Sequence, residues 1–217
     1  MKKNLLEKVL LGIVVVILLI FGVPAFIASY NTGIYIPDSM PQEQKAEYIN
    51  RRNEILKMTD QATMYNEIGL LRSGLNDYQG ALRAFQRALE IRPNDGRVIR
   101  NAALMYEYMG DYDMAEKTFR KALVSNPNNP EYWLDLGDML SYQVKDNARA
   151  KAFYETALQR SNNNVQVEQA YGTFLERIGD YEGAIKYYQE VADKVANSRG
   201  AFLKRIEELK LKMQLQK

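Results

Sequence analysis

Three carboxylates in one short stretch, Glu131, Asp135 and Asp138, are the side chains whose type and spacing come closest to a catalytic arrangement. Their spacing of i, i+4 and i+7 places them on one helix face, and carboxylates that share a face can act as general acid and base. The sequence contains no His and no Cys, which excludes an imidazole base, a thiolate nucleophile, the usual zinc ligands and any disulfide. No glycine-rich phosphate loop accompanies the carboxylates. We therefore expect no enzymatic activity and no metal or cofactor, and we interpret the cluster as charge on a helix surface.

The charge balance of the chain argues against partners attracted by bulk charge. The 217 residues include 29 Lys and Arg against 27 Asp and Glu, a formal net charge of +2 at pH 7. Nucleic-acid-binding domains concentrate positive charge, so we expect no nucleic-acid partner. Recognition should depend on specific contacts with a protein or peptide.

The carboxylates lie within a chain that repeats itself. Residues 110–123 read GDYDMAEKTFRKAL, and related stretches occupy 76–89, 145–158 and 179–192. The start points are separated by 34, 35 and 34 residues. Regular spacing of this kind is typical of repeat proteins.

Each repeat contains the signals of a helical hairpin. In each repeat a small residue stands 12 or 13 positions before an alanine that recurs at the same repeat position. Small side chains at both positions allow two helices to approach closely. These pairs are Gly69 with Ala81, Ala103 with Ala115, Gly137 with Ala150, and Gly172 with Ala184. Four residues after each alanine comes an aromatic residue, which continues one apolar stripe at helical spacing. Between the helices, a residue such as Gly110 suits the positive φ that ends a helix, and the following Asp can cap the next helix.

These residues resemble the tetratricopeptide repeat family, with its Leu-Gly, Tyr, Ala, aromatic, Ala and Pro pattern. The match is close over 62–95 and 96–129. Repeat 130–164 has the family's Trp133 and Leu136-Gly137 but one extra residue near Val144, and 165–198 loses the terminal Ala and Pro. The resemblance implies an all-α, right-handed superhelical solenoid that binds proteins or peptides, without naming a ligand.

The family resemblance also implies which side chains line the groove of such an array, namely variable positions on the first helix of each repeat. Carried onto this chain, the candidate binding residues are Asn66, Leu70, Arg97, Arg100, Asn101, Leu104, Tyr108, Glu131, Asp135, Asp138, Tyr142, Gln169, Thr173 and Arg177. The groove would hold an extended peptide through polar contacts, with Tyr108 and Tyr142 as rigid anchors. For each residue taken alone, solvated helix surface is the competing interpretation.

The first residues predict a membrane anchor. After a short basic start (1–8), residues 9–29 contain no charged side chain, and 19 apolar residues in a helix span about 28 Å, close to the hydrocarbon thickness of a bilayer. A cleaved secretory signal is the alternative, although the flanks suit cleavage poorly. Basic residues precede the span and none follows until Lys45, so we expect a cytoplasmic N-terminus and a repeat array on the non-cytoplasmic side, the periplasmic side in a bacterium. In a eukaryote the same kind of anchor can leave the array in the cytosol.

Three further segments flank the repeats. Residues 30–40, with Gly33 and Pro37, predict an extended spacer, and 41–60 predict a helix capped by Ser39 or Asp38. We expect Ala46, Ile49 and Leu56 to form its apolar face. We expect Arg51 and Arg52 to be solvated, and contact of these two side chains with anionic lipid headgroups is the alternative. The final segment, 199–217, places Phe202, Ile206, Leu209 and Met213 on one stripe, which predicts a capping helix; a coiled-coil seam is the alternative.

Together these features predict a membrane-anchored scaffold that mediates protein–protein interaction in a cell-envelope complex. An alternative is a biogenesis or chaperone-like receptor that binds client proteins transiently at a membrane. Self-association through repeat edges or the last helix is a third arrangement, which we do not favour.

Overall fold

The computed structural model describes Ile34, residues 36–37 and residues 39–215. The predicted anchor over 9–29 and the N-terminal residues 1–8 lie outside these residues, as does most of the predicted spacer. Within the described ranges, no helix is both long and apolar enough to cross a bilayer.

The described residues form ten α-helices and no β-strand, as the all-α prediction requires. In chain order the helices are α1 (Gln42–Ile55), α2 (Gln61–Gly74), α3 (Tyr78–Ile91), α4 (Gly96–Tyr108), α5 (Tyr112–Ser125), α6 (Pro130–Asp138), α7 (Asn147–Arg160), α8 (Val165–Arg177), α9 (Tyr181–Lys194) and α10 (Arg199–Leu215). The chain divides into two compact units, one ending at Pro93 and the other beginning at Asn94. The first contains α1 to α3, and the second contains α4 to α10.

The turns inside the hairpins follow the sequence signals. Gly110 and Gly179 adopt φ values of 79° and 85°, the left-handed region that glycine enters without steric cost. The next residue then caps the following helix: Asp180, for example, accepts a hydrogen bond from the backbone N–H of Gly183 at 2.9 Å. The predicted Asp caps are therefore confirmed in all four hairpins.

The small residues mark the places where the two helices of a hairpin come closest. A Cβ atom added at Gly69 would lie 2.4 Å from Cε1 of Phe85, and one added at Gly172 would lie 3.0 Å from Cε1 of Tyr188. In the second hairpin Ala103 is completely buried. The aromatic ring of the second helix thus occupies the space that a larger side chain on the first helix would need.

The extra residue of the third repeat is absorbed as a π-helical turn. Met139–Val144 continues α6 with a wider winding and ends at Lys145, a non-glycine residue with φ of 65°. A π turn accommodates a one-residue insertion without breaking the helix. It leaves Leu140 and Ser141 buried.

The structure corrects the prediction of a spacer at residues 34 and 36. Ile34 is 1% exposed and Ile36 is 8% exposed, and both pack in an apolar cluster with Ile55, Ile68 and Leu71. Two isoleucines separated by one residue share a face of an extended segment, so both are buried by the same surface. This part of the chain is packed against the first repeat.

Helix α1 also differs from its prediction. It ends at Ile55, and it begins after Pro41 without a side-chain cap from Ser39. Ala46 is exposed, whereas Ile55 and Arg52 are buried, so the buried face is rotated from the predicted one. The predicted solvation of Arg52 is wrong: the residue is 7% exposed, and its Nε atom has no hydrogen-bond partner among the residues that the structure describes.

The last helix packs as a cap. Ile206 and Leu209 are buried, and Phe202 and Met213 are half-buried, which confirms the predicted stripe. Phe202 lies 5.9 Å, centroid to centroid, from the ring of Tyr188 on α9. The end of the second unit is therefore covered by α10.

Candidate protein-binding surface

Three helices of the second unit, α4, α6 and α8, each begin a repeat and bear most of the predicted binding residues. We call the predicted positions on these helices and on the π turn that continues α6, together with Glu107, the inner face. Its members are Arg97, Arg100, Asn101, Leu104, Glu107, Tyr108, Glu131, Asp135, Asp138, Tyr142, Gln169, Thr173 and Arg177.

Helices α4 and α6 are joined across the inner face by a bidentate ion pair. Arg100 donates from Nε to Oδ2 of Asp135 at 2.5 Å and from a terminal nitrogen to Oδ1 at 2.9 Å. The side chains are 32% and 13% exposed, so the pair is largely withdrawn from water. Its hydrogen bonds raise the pKa of Arg100, while burial raises the pKa of Asp135 against the opposing effect of Arg100. The two residues hold a fixed geometry between adjacent repeats.

Asp138 is engaged within its own repeat. It accepts a short hydrogen bond from the hydroxyl of Tyr154 on α7. Burial, and then the charge of Asp138, raise the pKa of Tyr154, so the phenol remains a donor. Of the three carboxylates that first suggested chemistry, Asp135 and Asp138 are therefore bound to other side chains, while Glu131 is exposed.

Glu107 on α4 is a candidate site residue that the sequence analysis missed. Burial, followed by the negative charges of Asp135 and Asp138, raises the pKa of Glu107 from its ordinary 4.5 to about 7. Glu107 occupies one of the variable positions that the family resemblance assigns to the groove, so its position in the repeat could have identified it from the sequence. The inner face consequently holds a carboxyl group that changes charge near neutral pH.

Helices α6 and α8 are bridged by Arg177. Its guanidinium lies 4.4 Å from the ring centroid of Tyr142, which stands on the π turn, and 5.4 Å from that of Phe174. One terminal nitrogen also approaches the carbonyl oxygen of Ser141 at 3.4 Å. A cation over an aromatic ring restricts both side chains, so Tyr142, 41% exposed, is held in one orientation.

A groove of about 470 Å³ lies where α8 meets α9 and α10. Gln169 and Thr173, both predicted binding residues, line it together with Tyr188, Phe202 and Arg205. Arg205 is bound to Glu176 and also forms a 2.6 Å ion pair with Glu208. The hydroxyl of Thr173 donates to the carbonyl oxygen of Gln169 at 2.9 Å and accepts from the hydroxyl of Tyr188 at 3.3 Å, whereas the exposed Gln169 contributes an uncharged side-chain amide to the groove.

The remaining predicted residues are distributed as follows. Tyr108 is 57% exposed, Arg97 has an 86% exposed side chain near Asp95, and Asn101 and Leu104 are half-buried. In the first unit, Asn66 and Leu70 are half-buried on α2. Beside them Glu67 forms a 3.2 Å ion pair with Arg51 of α1.

Two of the three carboxylates on the inner face are engaged by neighbouring side chains. Among the described residues, no group of three or more Asp and Glu side chains is arranged to hold a metal ion. Asp135 is neutralised by an arginine, and Asp138 is bonded to a phenol that remains protonated. What the surface presents to a partner is exposed aromatic rings beside fixed polar side chains.

Helical hairpins repeated about every 34 residues, each closed by a small residue against an aromatic ring, define an α-helical repeat protein of the kind that serves as a protein-interaction scaffold. Family models described as tetratricopeptide repeat match residues 60–124, 100–165 and 169–198. The chain belongs to the tetratricopeptide repeat family.

Two curated relatives are BBSome complex member BBS4 proteins. The one from Xenopus tropicalis is 29% identical over 140 residues, covering 64% of this chain and 27% of that protein. The one from Bos taurus is 28% identical over 132 residues, covering 61% and 25% respectively. The chain thus matches about a quarter of the length of these relatives.

Solved structures of MamA have a similar fold. One crystal structure of MamA gives a TM-score of 0.55 at 13% identity, covering 74% of this chain and 96% of that one. A second gives a TM-score of 0.52 at 18% identity, covering 71% and 94%. At this level of identity the similarity shows the fold alone.

Proposed function

We propose that this protein is a membrane-anchored scaffold that binds a protein partner on its inner face, as part of a cell-envelope complex. The observation that supports this most is the pair of bridges between successive repeats, Arg100 with Asp135 and Arg177 with Tyr142. A surface whose side chains are already ordered loses less conformational entropy on binding.

The chemistry of the inner face favours a partner held by aromatic and polar contacts. Its charged groups are mostly matched internally, so a partner gains little from bulk charge. Tyr108 and Tyr142 offer large exposed rings, which are the side-chain type enriched at binding hot spots. An extended segment with apolar side chains and free backbone amides suits such a surface.

The membrane part of the proposal depends on the sequence of residues 9–29, an uncharged stretch of bilayer length after a basic start. In this proposal the N-terminus is cytoplasmic and the repeats lie on the other side, the periplasm in a bacterium. Confinement to a membrane raises the effective concentration of partners that share that membrane, which is how a small scaffold can promote assembly. Alkaline extraction of membranes tests the anchor, and release of the protein into the supernatant would contradict it. Protease treatment of spheroplasts tests the side of the membrane on which the repeats lie, and protection of the repeats without permeabilisation would contradict the non-cytoplasmic side.

Partner binding is tested by quantitative affinity purification of full-length protein from solubilised membranes. We expect Tyr142→Ala to reduce recovery of the partner at least tenfold, and Val124→Ala to have no effect. Val124 is a suitable control because it is 84% exposed and lies on α5, outside the inner face. A single stoichiometric partner supports a scaffold, whereas many substoichiometric clients support the chaperone-like alternative. Equal recovery with both variants contradicts the assignment of the inner face.

A further inference from the structure

Two residues between the predicted anchor and the first repeat are packed against that repeat. Ile34 and Ile36 are buried in the cluster that contains Ile68 of α2 and Ala84 of α3. We call the surface of the first unit around Ile68, Arg72, Arg83, Ala84 and Arg87 the N-terminal edge. The contact with this edge already includes Ile34, which lies before the end of the predicted spacer.

This packing limits the distance between the edge and a membrane. The predicted span ends at residue 29, so five residue steps separate it from Ile34. A chain of that length reaches at most about 17 Å in any conformation. If the span is in the bilayer, the N-terminal edge lies within reach of the lipid headgroups.

The edge contains a cavity with an excess of positive charge. Its volume is about 370 Å³, and Ile68 and Ala84, which contact the cluster of Ile34 and Ile36, are among its lining residues. The remaining lining residues are Arg72, Arg83, Gln86, Arg87 and Glu90. Three guanidinium groups therefore face one carboxylate.

The charges at the cavity are not fully compensated. Glu90 pairs with Arg87 at 2.8 Å, and Arg72 lies 3.6 Å from Asp77. Arg83 is exposed and forms no ion pair within the described part of the chain. Burial lowers the pKa of Arg72, the charge of Asp77 opposes this, and the positive charge of Arg83 adds a smaller lowering effect, as expected for two cations that line one cavity and repel each other. An anionic group placed between them relieves that repulsion.

We propose that the N-terminal edge docks on the phosphate headgroups of an anionic bilayer, with Arg83 and Arg87 as the contacting side chains. This inference rests on the proposed membrane anchor. A lipid surface is favoured over an acidic peptide because the anchor delivers headgroups to this edge at high local concentration, whereas a peptide must arrive by diffusion. Docking holds the first repeat against the membrane.

The test uses full-length protein in liposomes of phosphatidylcholine alone or with one part in three of phosphatidylglycerol. Because the chain has no cysteine, Gln86→Cys supplies a single labelling site at the cavity. Energy transfer from this label to headgroup-labelled lipid measures the ratio of docked to undocked protein. Each arginine near an anionic surface strengthens binding to that surface roughly fivefold. The double variant Arg83→Ala with Arg87→Ala should therefore lower the ratio of docked to undocked protein about 25-fold in the anionic liposomes.

The control removes two positive charges from α5 through Lys117→Ala with Lys121→Ala, and it should leave energy transfer unchanged. Liposome flotation separates the two proposals: protein that fails to float contradicts the anchor. Protein that floats but shows equal transfer in both lipid mixtures overturns docking alone. A response of the label to free polyglutamate peptide, without a response to phosphatidylglycerol, also overturns docking and assigns the edge to an acidic peptide.

Discussion

Replacing Glu107 with Gln should stabilise the second unit at alkaline pH and leave it unchanged at acidic pH. In the unfolded chain this carboxyl releases its proton near pH 4.5, whereas in the folded protein it does so near pH 7. Between these values the folded state binds more protons than the unfolded state, so its stability falls as pH rises. The difference corresponds to about 3 kcal/mol once pH exceeds the folded pKa. Gln is neutral at every pH and does not incur this loss.

The single Trp provides the assay, because Trp133 lies in the second unit and reports its unfolding by fluorescence. For a domain of this size we expect Glu107→Gln to raise the unfolding midpoint by roughly 10 °C at pH 8.5 and by less than about 1 °C at pH 4. Glu207→Gln is the control, since the side chain of Glu207 is 71% exposed, and it should have little effect at either pH. An equal shift at both pH values, or none at pH 8.5, would refute the assignment of a buried, repelled carboxylate.

Three further substitutions test the packing. Arg100→Ala should lower the unfolding free energy of the second unit by about 3 kcal/mol, because it leaves a buried carboxylate without its partner. Arg97→Ala on the same helix should change this free energy by less than about 0.5 kcal/mol. Urea titration monitored by Trp fluorescence measures both effects. Gly69→Ala should weaken hydrogen-exchange protection across residues 61–91 by about 1–3 kcal/mol, since its Cβ would clash with an aromatic ring. Gly200→Ala is the control and should leave this protection unchanged, because the space around Gly200 is open. Arg52→Met should raise the thermal midpoint by a few degrees, because it removes a buried guanidinium whose Nε atom has no hydrogen-bond partner within the described residues. A lower midpoint would show that this cation stabilises the fold.

The hairpins could be predicted because their determinants are local. A capping Asp such as Asp111, and a Gly that tolerates positive φ such as Gly110, act within a few residues of their own position. The position of the insertion in the third repeat was also visible, although its accommodation as a π turn was not. Whether this segment adopts an α-helical or a π-helical turn depends on which side chains it must bury, in this case Leu140 and Ser141.

Features that depend on contacts between distant residues could not be predicted in the same way. Ile34 and Ile36 lie between Gly33 and Pro37, and their composition suited a solvated spacer. Their burial depends on an apolar surface that exists only after the first hairpin has formed. Similarly, the candidate site was predicted residue by residue, but the pairing of Arg100 with Asp135 requires two helices from different repeats to be placed side by side.

The claim that a partner binds the inner face is tested most directly by site-specific photo-crosslinking in intact cells. A photoreactive amino acid replaces Tyr142 on the inner face or, in a separate strain, Lys117 on α5. We expect residue 142 to crosslink to one defined partner and residue 117 not to crosslink to it. Efficient crosslinking of the same partner through residue 117, with none through residue 142, would contradict it.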